Sequence, residues 1–147
     1  MIEYCIAEEK HLPQILNLYK QLLPDEKPLK IEEANKIWTE IEKSKLKYFI
    51  AVDNGIVISS CYIAIVPNLT RNGKSNGFIE NVITDEKYRN RGIGRKIIEL
   101  AIKYGEENNC YKIVLMSSNS RKENHGFYEK CGFDGNSKRA FEKRILK

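Results

Sequence analysis

Apolar residues recur at steps of three and four in four stretches of the chain, and this period predicts amphipathic helices. Three longer helices are predicted over residues 11–23, 31–43 and 93–108, and a shorter helix over residues 122–131. Pro13 suits the first turn of the first helix, and Gly132 is placed to cap the last one. Each helix has one apolar face, so each needs a sheet or another helix to pack against.

Runs of apolar, β-branched and aromatic residues predict strands between these helices. The strands are predicted over residues 2–7, 48–52, 56–66, 78–84 and 111–116, and a weaker pattern predicts a last strand over residues 139–146. Asp53-Asn54-Gly55 is typical of a hairpin turn, because an Asn-Gly pair adopts positive φ at little cost. The strand–helix–strand unit over residues 78–116 should have parallel strands and a right-handed crossover. This order of elements predicts a mixed α/β fold.

The composition indicates an ordinary globular chain. Its 147 residues fit one domain spanning residues 1–147, which is long enough to bury a core. The contents of 41% hydrophobic and 31% charged residues are typical of soluble proteins. The net charge of +5 is moderate, and basic residues are interspersed with acidic ones. A solvated mixed surface is therefore the first interpretation, an anionic ligand the second and nucleic acid the third.

The cysteines form no CxxC pair and have no metal-ligand spacing with His11 or His125. We therefore expect reduced, mostly buried thiols in a cytoplasmic protein, and no bound metal. The four cysteines are Cys5, Cys61, Cys110 and Cys131. No apolar run approaches the ~20 residues of a membrane span, and the first ten residues lack the pattern of a secretory signal.

Residues 80–100 combine the end of a strand, a polar turn, a basic turn containing Gly92 and Gly94, and the start of a helix. The first N–H groups of a helix lack internal partners and lie at the positive end of the helix dipole, so they can bind an anion. Glycines let a bulky anion approach the backbone. Three arginines add forked donors suited to phosphate: Arg89, Arg91 and Arg95.

The spacing of these glycines excludes two common nucleotide motifs. No Gly-Lys-Ser/Thr follows, as a Walker A loop would require, and the GxGxxG spacing of dinucleotide-binding folds is absent. From spacing alone, a basic turn at a helix start that binds no ligand is an equal alternative.

Residues 124–133 form a second motif, NHGFYEKCGF. Phe127 and Tyr128 are neighbours on a helix, so they cannot share one face. One of them can pack into a core while the other points toward a cleft. A half-buried core tyrosine is the alternative for Tyr128, and a surface histidine is the preferred interpretation of His125.

These stretches together resemble the GNAT superfamily of acetyl-coenzyme A-dependent N-acetyltransferases. The matching pieces are ENVIT at residues 80–84, RNRGIG at 89–94, YKIVLM at 111–116 and FYEKCGF at 127–133. The match covers the second half of the chain in detail and the whole chain in outline. The resemblance implies an α/β fold with a mixed, mostly antiparallel sheet flanked by helices. It also implies a parallel central strand pair that splays to admit acetyl-coenzyme A (acetyl-CoA).

The resemblance implies acetyl-CoA as the acetyl donor and assigns residues to bind it. Main-chain groups of Val82, Ile83 and Thr84 would bond the pantetheine arm as an added half-strand. Amides of the basic loop would cradle the pyrophosphate, and this loop consists of Arg89, Asn90, Arg91, Gly92, Ile93, Gly94 and Arg95.

The chain departs from the family pattern in one place. Many members carry Asn seven residues before the tyrosine that corresponds to Tyr128, and Ala four residues before it. This chain has Arg121 and Asn124 at those positions. Asn119 lies close to these positions in the sequence, and it is the candidate residue of this segment for a contact with the cofactor.

The same resemblance assigns the catalytic side chains. A protonated amine must lose a proton before it attacks, and Glu80 is the candidate base, acting through water. A glutamate held by a nearby Lys or Arg is the equal alternative. The main-chain N–H near Val82 would donate to the oxyanion. Tyr128 resembles the tyrosine that protonates the sulfur of coenzyme A, and a tyrosine hydroxyl is a donor at neutral pH.

We therefore expect acetyl transfer to a primary amine by direct attack in a ternary complex. A weakly catalytic or non-catalytic acyl-CoA sensor of the same fold is the alternative, and a nucleic-acid binder is disfavoured because no aromatic residues are interleaved in the basic turn. The expected acceptor is a small-molecule or peptide amine, and the sequence does not decide between a small molecule, a peptide N-terminus and a protein lysine. Asp25 and Glu26 would favour a cationic one, whereas Arg71 and Lys74 would favour an acidic one. No nucleic acid or membrane partner is expected, and a homodimer is left open.

Overall fold

A computed structural model describes residues 1–146 of the chain. Within them lie the strands β1 (Ile2–Ile6), β2 (Leu46–Asp53), β3 (Ile56–Val66), β4 (Ser75–Thr84) and β5 (Cys110–Leu115). The helices are α1 (Leu12–Leu22), α2 (Ile31–Glu42), α3 (Ile93–Glu107) and α4 (Lys122–Lys130). These elements lie where the sequence predicts them, with ends that move by at most three residues. The apolar periods therefore identified both the elements and their types.

The described residues group into two compact units. The first unit comprises residues 1–115 and contains the whole sheet with α1, α2 and α3, and the second begins at Met116 and contains α4. That residues 1–147 form one domain stays a prediction.

The five strands form one sheet in the order β1-β2-β3-β4-β5. Neighbouring strands are antiparallel from β1 to β4, and β4 and β5 are parallel. The hairpin between β2 and β3 turns at Asn54 and Gly55, whose φ angles are +48° and +79°. α3 connects the parallel pair, as the crossover rule requires. The predicted mixed sheet with one parallel strand pair and flanking helices is confirmed.

Adjacent residues of β2 identify the two faces of the sheet. Phe49 contacts Tyr104 of α3, with ring centroids 5.9 Å apart. Tyr48 points the other way, and its ring centroid lies 5.5 Å from that of Trp38 on α2. Side chains alternate between the faces of a strand, so α3 covers one face while α1 and α2 cover the other. The α1–α2 face holds a buried core cluster of Ala7, Leu12, Ile15, Leu18, Ala34, Trp38, Ile50, Val57 and Ile83.

A bulge interrupts β4 where it pairs with β3. Ser60 is opposite Ile83 and Tyr62 is opposite Glu80, so β4 contains one more residue than β3 between these two pairs. Asn81 lies in the bulge with φ +53°, in the left-handed region that asparagine tolerates better than most residues. Such a bulge re-aims neighbouring side chains. Here it turns the side chains of Glu80 and Asn81 toward the same face, the one covered by α1 and α2.

The second unit confirms the predicted α4 and its cap. The chain leaves α4 through Gly132, whose φ is +95°, and the Gly132 N–H donates to the Glu129 carbonyl over 2.9 Å. The predicted strand over residues 139–146 is wrong, because this segment is irregular. Its apolar side chains lie in solvent, with Phe141 90% and Ile145 81% exposed. Charged residues at Arg139, Glu142, Lys143 and Arg144 interrupt the alternation that a half-buried strand requires.

The cysteines differ in exposure. Cys61 is buried, Cys110 and Cys131 are half-buried, and Cys5 is exposed, so the expectation of mostly buried thiols is correct only for Cys61. Burial raises the pKa of the Cys61 thiol to about 12, so this thiol stays protonated. Within residues 1–146 there is no group of three His, Cys, Asp or Glu side chains placed to hold a metal ion. None of the helices in this range is long and apolar enough to cross a membrane.

Candidate active site

The pairing between the parallel strands β4 and β5 ends in the middle of β4. Their last paired residues are Ile79 and Leu115, where β5 ends. Residues 80–84 of β4 therefore pair with β3 on one side and have no partner on β5. Unpaired backbone N–H and C=O groups at a strand edge accept an added extended segment. This open edge coincides with the bulge at Asn81.

The end of β4 is held by side chains on both sides. Ser59 donates a hydrogen bond from its hydroxyl to the Ile83 carbonyl over 2.9 Å, and its hydroxyl lies 2.9 Å from that of Thr84. The Arg89 Nε donates to the Thr84 carbonyl over 3.1 Å. These contacts fix the direction in which the chain leaves the sheet and enters the β4–α3 loop, residues 85–92.

The β4–α3 loop ends in an uncapped helix start. Gly92 is the N-cap of α3 with φ +76°, and no side chain caps the first-turn amides. The position that a Gly92 Cβ would occupy has no heavy atom within 4 Å. Asn90 also adopts a left-handed φ of +61°. Open space beside unsatisfied amides at the positive end of a helix is the geometry that binds an anion.

The three arginines predicted to bind phosphate are exposed, but each has a partner within the chain. Arg89 bonds to Thr84 as described, and Arg91 donates to the Lys87 carbonyl over 3.0 Å and lies over the Tyr88 ring. Arg95 forms an ion pair of 3.1 Å with Glu99, one turn along α3. They therefore shape the loop and add positive charge around the helix start. Each contact uses one of the five N–H donors of its guanidinium, so these side chains can still contact an anion together with the amides.

Two glutamines on α1 anchor distant loops, and neither is among the site residues predicted from the sequence. The Gln21 Nε2 donates to the Asp85 carboxylate and its Oε1 accepts from the Glu86 N–H, both over 3.0 Å. Gln14 makes the same kind of double contact with the β2–β3 hairpin, to the Gly55 carbonyl at 3.1 Å and the Val57 N–H at 2.7 Å. The two glutamines are seven residues apart and so share one face of α1. Two glutamines on one face of α1 are the feature of the sequence that could have indicated these contacts.

Glu80 faces two tyrosines across the sheet. It lies opposite Tyr62, whose ring centroid is 5.3 Å from that of Tyr48. Burial raises the pKa of Tyr62, and the Glu80 carboxylate and Tyr48 raise it further. Among residues 1–146, no Lys or Arg forms an ion pair with Glu80. The structure therefore does not support the alternative in which an ion pair with Lys or Arg holds Glu80.

A pocket opens between α1, α2 and the sheet, with a volume of about 330 Å³. Most of its wall is apolar, from side chains of α1, α2 and the connection between them. Its polar lining residues are Tyr19, Tyr48 and Asn81, together with the charged residues Lys20, Glu26 and Lys27. We call it the α1–α2 pocket. Asn81 links it to the bulge of β4, where the strand edge is open.

The remaining candidates belong to the second unit. Tyr128 is half-buried on α4, with its ring edge against that of Phe127 at 5.2 Å between centroids. Asn119 is exposed. His125 lies half-buried, and its Nε2 is 3.0 Å from the Ser118 carbonyl, so this histidine holds the preceding loop. The first unit brings together Glu80, the open edge of β4 and the β4–α3 loop.

Comparison with known proteins identifies the family. Residues 12–133 match the model of the Acetyltransferase (GNAT) family. The chain belongs to the GNAT acetyltransferase family. This confirms the resemblance inferred from the motifs at residues 80–94 and 111–133. The functional roles assigned to Tyr128, Glu80, Asn119 and the loop residues stay predictions.

Curated relatives and solved GNAT structures resemble this chain over different lengths. A glucosamine 6-phosphate N-acetyltransferase of Trypanosoma brucei brucei is 36% identical over 87 residues, which are 59% of this chain and 57% of that protein. The Arabidopsis thaliana enzyme of the same name is 30% identical over 72% of each chain. A putative acetyltransferase from Agrobacterium tumefaciens str. C58 superimposes with a TM-score of 0.91 at 37% identity, covering 97% of this chain and 99% of that one.

We expect Gln21→Ala to raise the KM for acetyl-CoA about tenfold, because two hydrogen bonds of about 1 kcal/mol each no longer position the β4–α3 loop. Gln14→Ala is the matched control, since it removes the same two bonds from the other loop. The melting temperature should fall by a similar amount in both variants, and only Gln21→Ala should change the KM for acetyl-CoA. Steady-state kinetics and thermal melts measure the two effects. Equal KM values in the two variants would contradict a positioning role for Gln21.

Proposed function

We propose that this GNAT protein transfers the acetyl group of acetyl-CoA to the amine of a phosphorylated amino sugar, with glucosamine 6-phosphate as the leading acceptor. The observation that carries the transfer reaction is the open edge of β4 beside the uncapped start of α3. The acceptor rests on the curated relatives, which are glucosamine 6-phosphate N-acetyltransferases.

The described residues fit acetyl-CoA. Main-chain groups of Val82, Ile83 and Thr84 would bond its pantetheine arm, since this edge of β4 lacks a strand partner. The amides after Gly92 would hold its pyrophosphate, because no side chain caps them and the space beside Gly92 is open. When bound, acetyl-CoA supplies an activated acetyl thioester.

Three groups of the chain would perform the transfer. Glu80 would accept the amine proton through water, and its position on the face covered by α1 and α2 supports this role. The N–H of Val82 would donate to the carbonyl oxygen of the acetyl group. Tyr128 would donate its proton to the sulfur that leaves. These roles require that the amine approach from the α1–α2 side of β4.

The α1–α2 pocket suits the proposed acceptor in size and charge. Its volume of about 330 Å³ accommodates a sugar-sized ligand. Lys20 and Lys27 line it, and within the described residues neither forms an ion pair. Two ammonium groups without carboxylate partners are available to bind a phosphate.

The test compares glucosamine 6-phosphate with glucosamine, following thiol release from acetyl-CoA. A hydrogen bond to a charged group contributes about 1.5–3 kcal/mol, so each lysine should be worth tenfold or more in kcat/KM. The variant Lys20→Ala/Lys27→Ala should lose at least this on the phosphorylated sugar and little on glucosamine. Lys36→Ala, an exposed lysine of α2 outside the pocket, is the control. Equal kcat/KM values for the two sugars would contradict the acceptor. Binding of acetyl-CoA without turnover on any amine would favour a sensor.

A further inference from the structure

The hydroxyl of Tyr19 is buried in the α1–α2 pocket without a hydrogen-bond partner among the described residues. Buried polar groups are nearly always paired, and an unpaired one costs stability. The Tyr48 and Asn81 side chains lie beside this hydroxyl and shift its pKa as weak hydrogen-bond partners, but neither contact has the geometry of a well-formed hydrogen bond. Burial is the largest effect on the pKa of Tyr19 and raises it, so the hydroxyl remains a neutral donor. The donor therefore makes no well-formed hydrogen bond within the described residues, and its side chain lines a ligand-sized pocket.

Asn81 supplies the second polar group of the same pocket. It lies in the bulge of β4, and its positive φ turns its side chain toward α1 and α2. A side-chain amide both donates and accepts hydrogen bonds. The residue before it is Glu80, the proposed base, which faces the same side of the sheet. The uncharged polar residues of the lining are Tyr19, Tyr48 and Asn81, and the others are apolar or proline apart from the two lysines and Glu26. Uncharged polar contacts therefore converge on one small region of the pocket.

We propose that Tyr19 and Asn81 bind an uncharged oxygen of the acceptor, a hydroxyl or ring oxygen, and thereby select a hydroxylated amine and hold it on the Glu80 side of β4. The inference rests on the proposed function and names the part of the acceptor that the inner pocket recognises. Tyr19 would donate to that oxygen, and Asn81 would accept from or donate to the same ligand. Both are positioning residues, since the chemical step belongs to other groups.

Tyr19→Phe tests the proposal because it removes the hydroxyl alone. The KM for glucosamine should rise about tenfold, the effect of one lost hydrogen bond to a ligand, while the KM for acetyl-CoA should stay unchanged. The melting temperature should stay equal or rise, because the lost group has no partner in the free protein. A lower melting temperature with unchanged KM for glucosamine would mean that the hydroxyl serves the fold, and would overturn the proposal. Tyr104→Phe, on the other face of the sheet, is the control.

Asn81→Gly is the second variant, since glycine keeps the positive φ of the bulge and removes only the side chain. It should raise the KM for glucosamine as Tyr19→Phe does. Cyclohexylamine, a ring amine without hydroxyl groups, is the negative probe, and neither variant should weaken its use as an acceptor or its binding. An equal loss on cyclohexylamine and glucosamine would show that the two residues do not recognise an oxygen.

Trp38 provides a readout that does not depend on turnover. It is the single tryptophan of the chain and lines the pocket. Titration with glucosamine or glucosamine 6-phosphate, with and without coenzyme A, should change its fluorescence saturably, and Tyr19→Phe should weaken this binding about tenfold. Binding without acetyl transfer would refute the proposed function and leave the pocket assignment standing. Acetyl transfer that Tyr19→Phe and Asn81→Gly do not affect, or the absence of any titration, would refute the pocket assignment.

Discussion

Gly92→Asp is expected to weaken acetyl-CoA binding at least about a hundredfold. The substitution adds a carboxylate at the N-cap of α3, where the space is open and the amides are uncapped. Two unit charges 4 Å apart repel by about 4 kcal/mol at an effective dielectric constant of about 20, and by about 1 kcal/mol in water. A pyrophosphate at this position carries more than one charge. The loss of binding free energy should therefore lie toward the upper of these two values.

The matched control for this substitution is Gly92→Asn. Asparagine has the shape of aspartate, tolerates positive φ and has no charge. Any cost of replacing glycine at φ +76° is therefore shared by the two variants, and the difference in Kd between them measures the charge effect. Isothermal titration with coenzyme A gives both values, and thermal melts report whether each variant folds. If the aspartate variant bound coenzyme A as tightly as the asparagine variant, the start of α3 would not be the anion site.

The elements and the helix start could be predicted because both depend on local sequence. Apolar periods predict α1 to α3 and β1 to β5, and they do so without knowledge of what each element packs against. The uncapped start of α3 is also local, since Gly92 and the absence of a capping side chain are visible in the sequence. For these features, the sequence neighbours and the spatial neighbours are the same residues.

The bulge at Asn81 could not be predicted in this way. The stretch ENVIT has the composition of a regular strand, and the extra residue appears only in the register with β3. Regular alternation would send Glu80 and Asn81 to opposite faces. The bulge instead turns both toward α1 and α2, so the proposed base and the α1–α2 pocket lie on one side. The wrong strand at residues 139–146 has a local origin instead, because charged residues interrupt the alternation that a half-buried strand requires.

Long-range contacts account for the rest of what the sequence did not predict. Gln21 meets Asp85 and Glu86 across more than sixty residues of sequence. The Tyr19 hydroxyl becomes unusual only when the α1–α2 pocket is known to surround it. Arg89, Arg91 and Arg95 each make one contact within the chain that their charge does not predict, and their role as phosphate ligands stays a prediction. Charge and position in the sequence do not reveal which side chains are already engaged.

Tyr128→Phe is expected to lower kcat by a factor of about one hundred to one thousand while leaving the Kd for acetyl-CoA largely intact. A positioned general acid contributes about 10²- to 10⁴-fold to a reaction. The family resemblance assigns this residue to protonate the sulfur that leaves, and phenylalanine preserves its ring contact with Phe127. Only the hydroxyl is lost, so cofactor binding at β4 and α3 should not depend on it.

The pH dependence separates an acid from a packing residue. In the wild type, kcat should fall as pH rises through the pKa of the catalytic hydroxyl, because the deprotonated form cannot donate. Tyr128→Phe should lack this alkaline decline and give a flat, low rate there. Phe127→Leu controls for packing, since it disturbs the neighbouring ring and keeps the hydroxyl, and it should retain the decline. If Tyr128→Phe turned over normally at every pH, the acid role would be wrong, although the GNAT fold would stand because it depends on the sheet and α3 rather than on this hydroxyl.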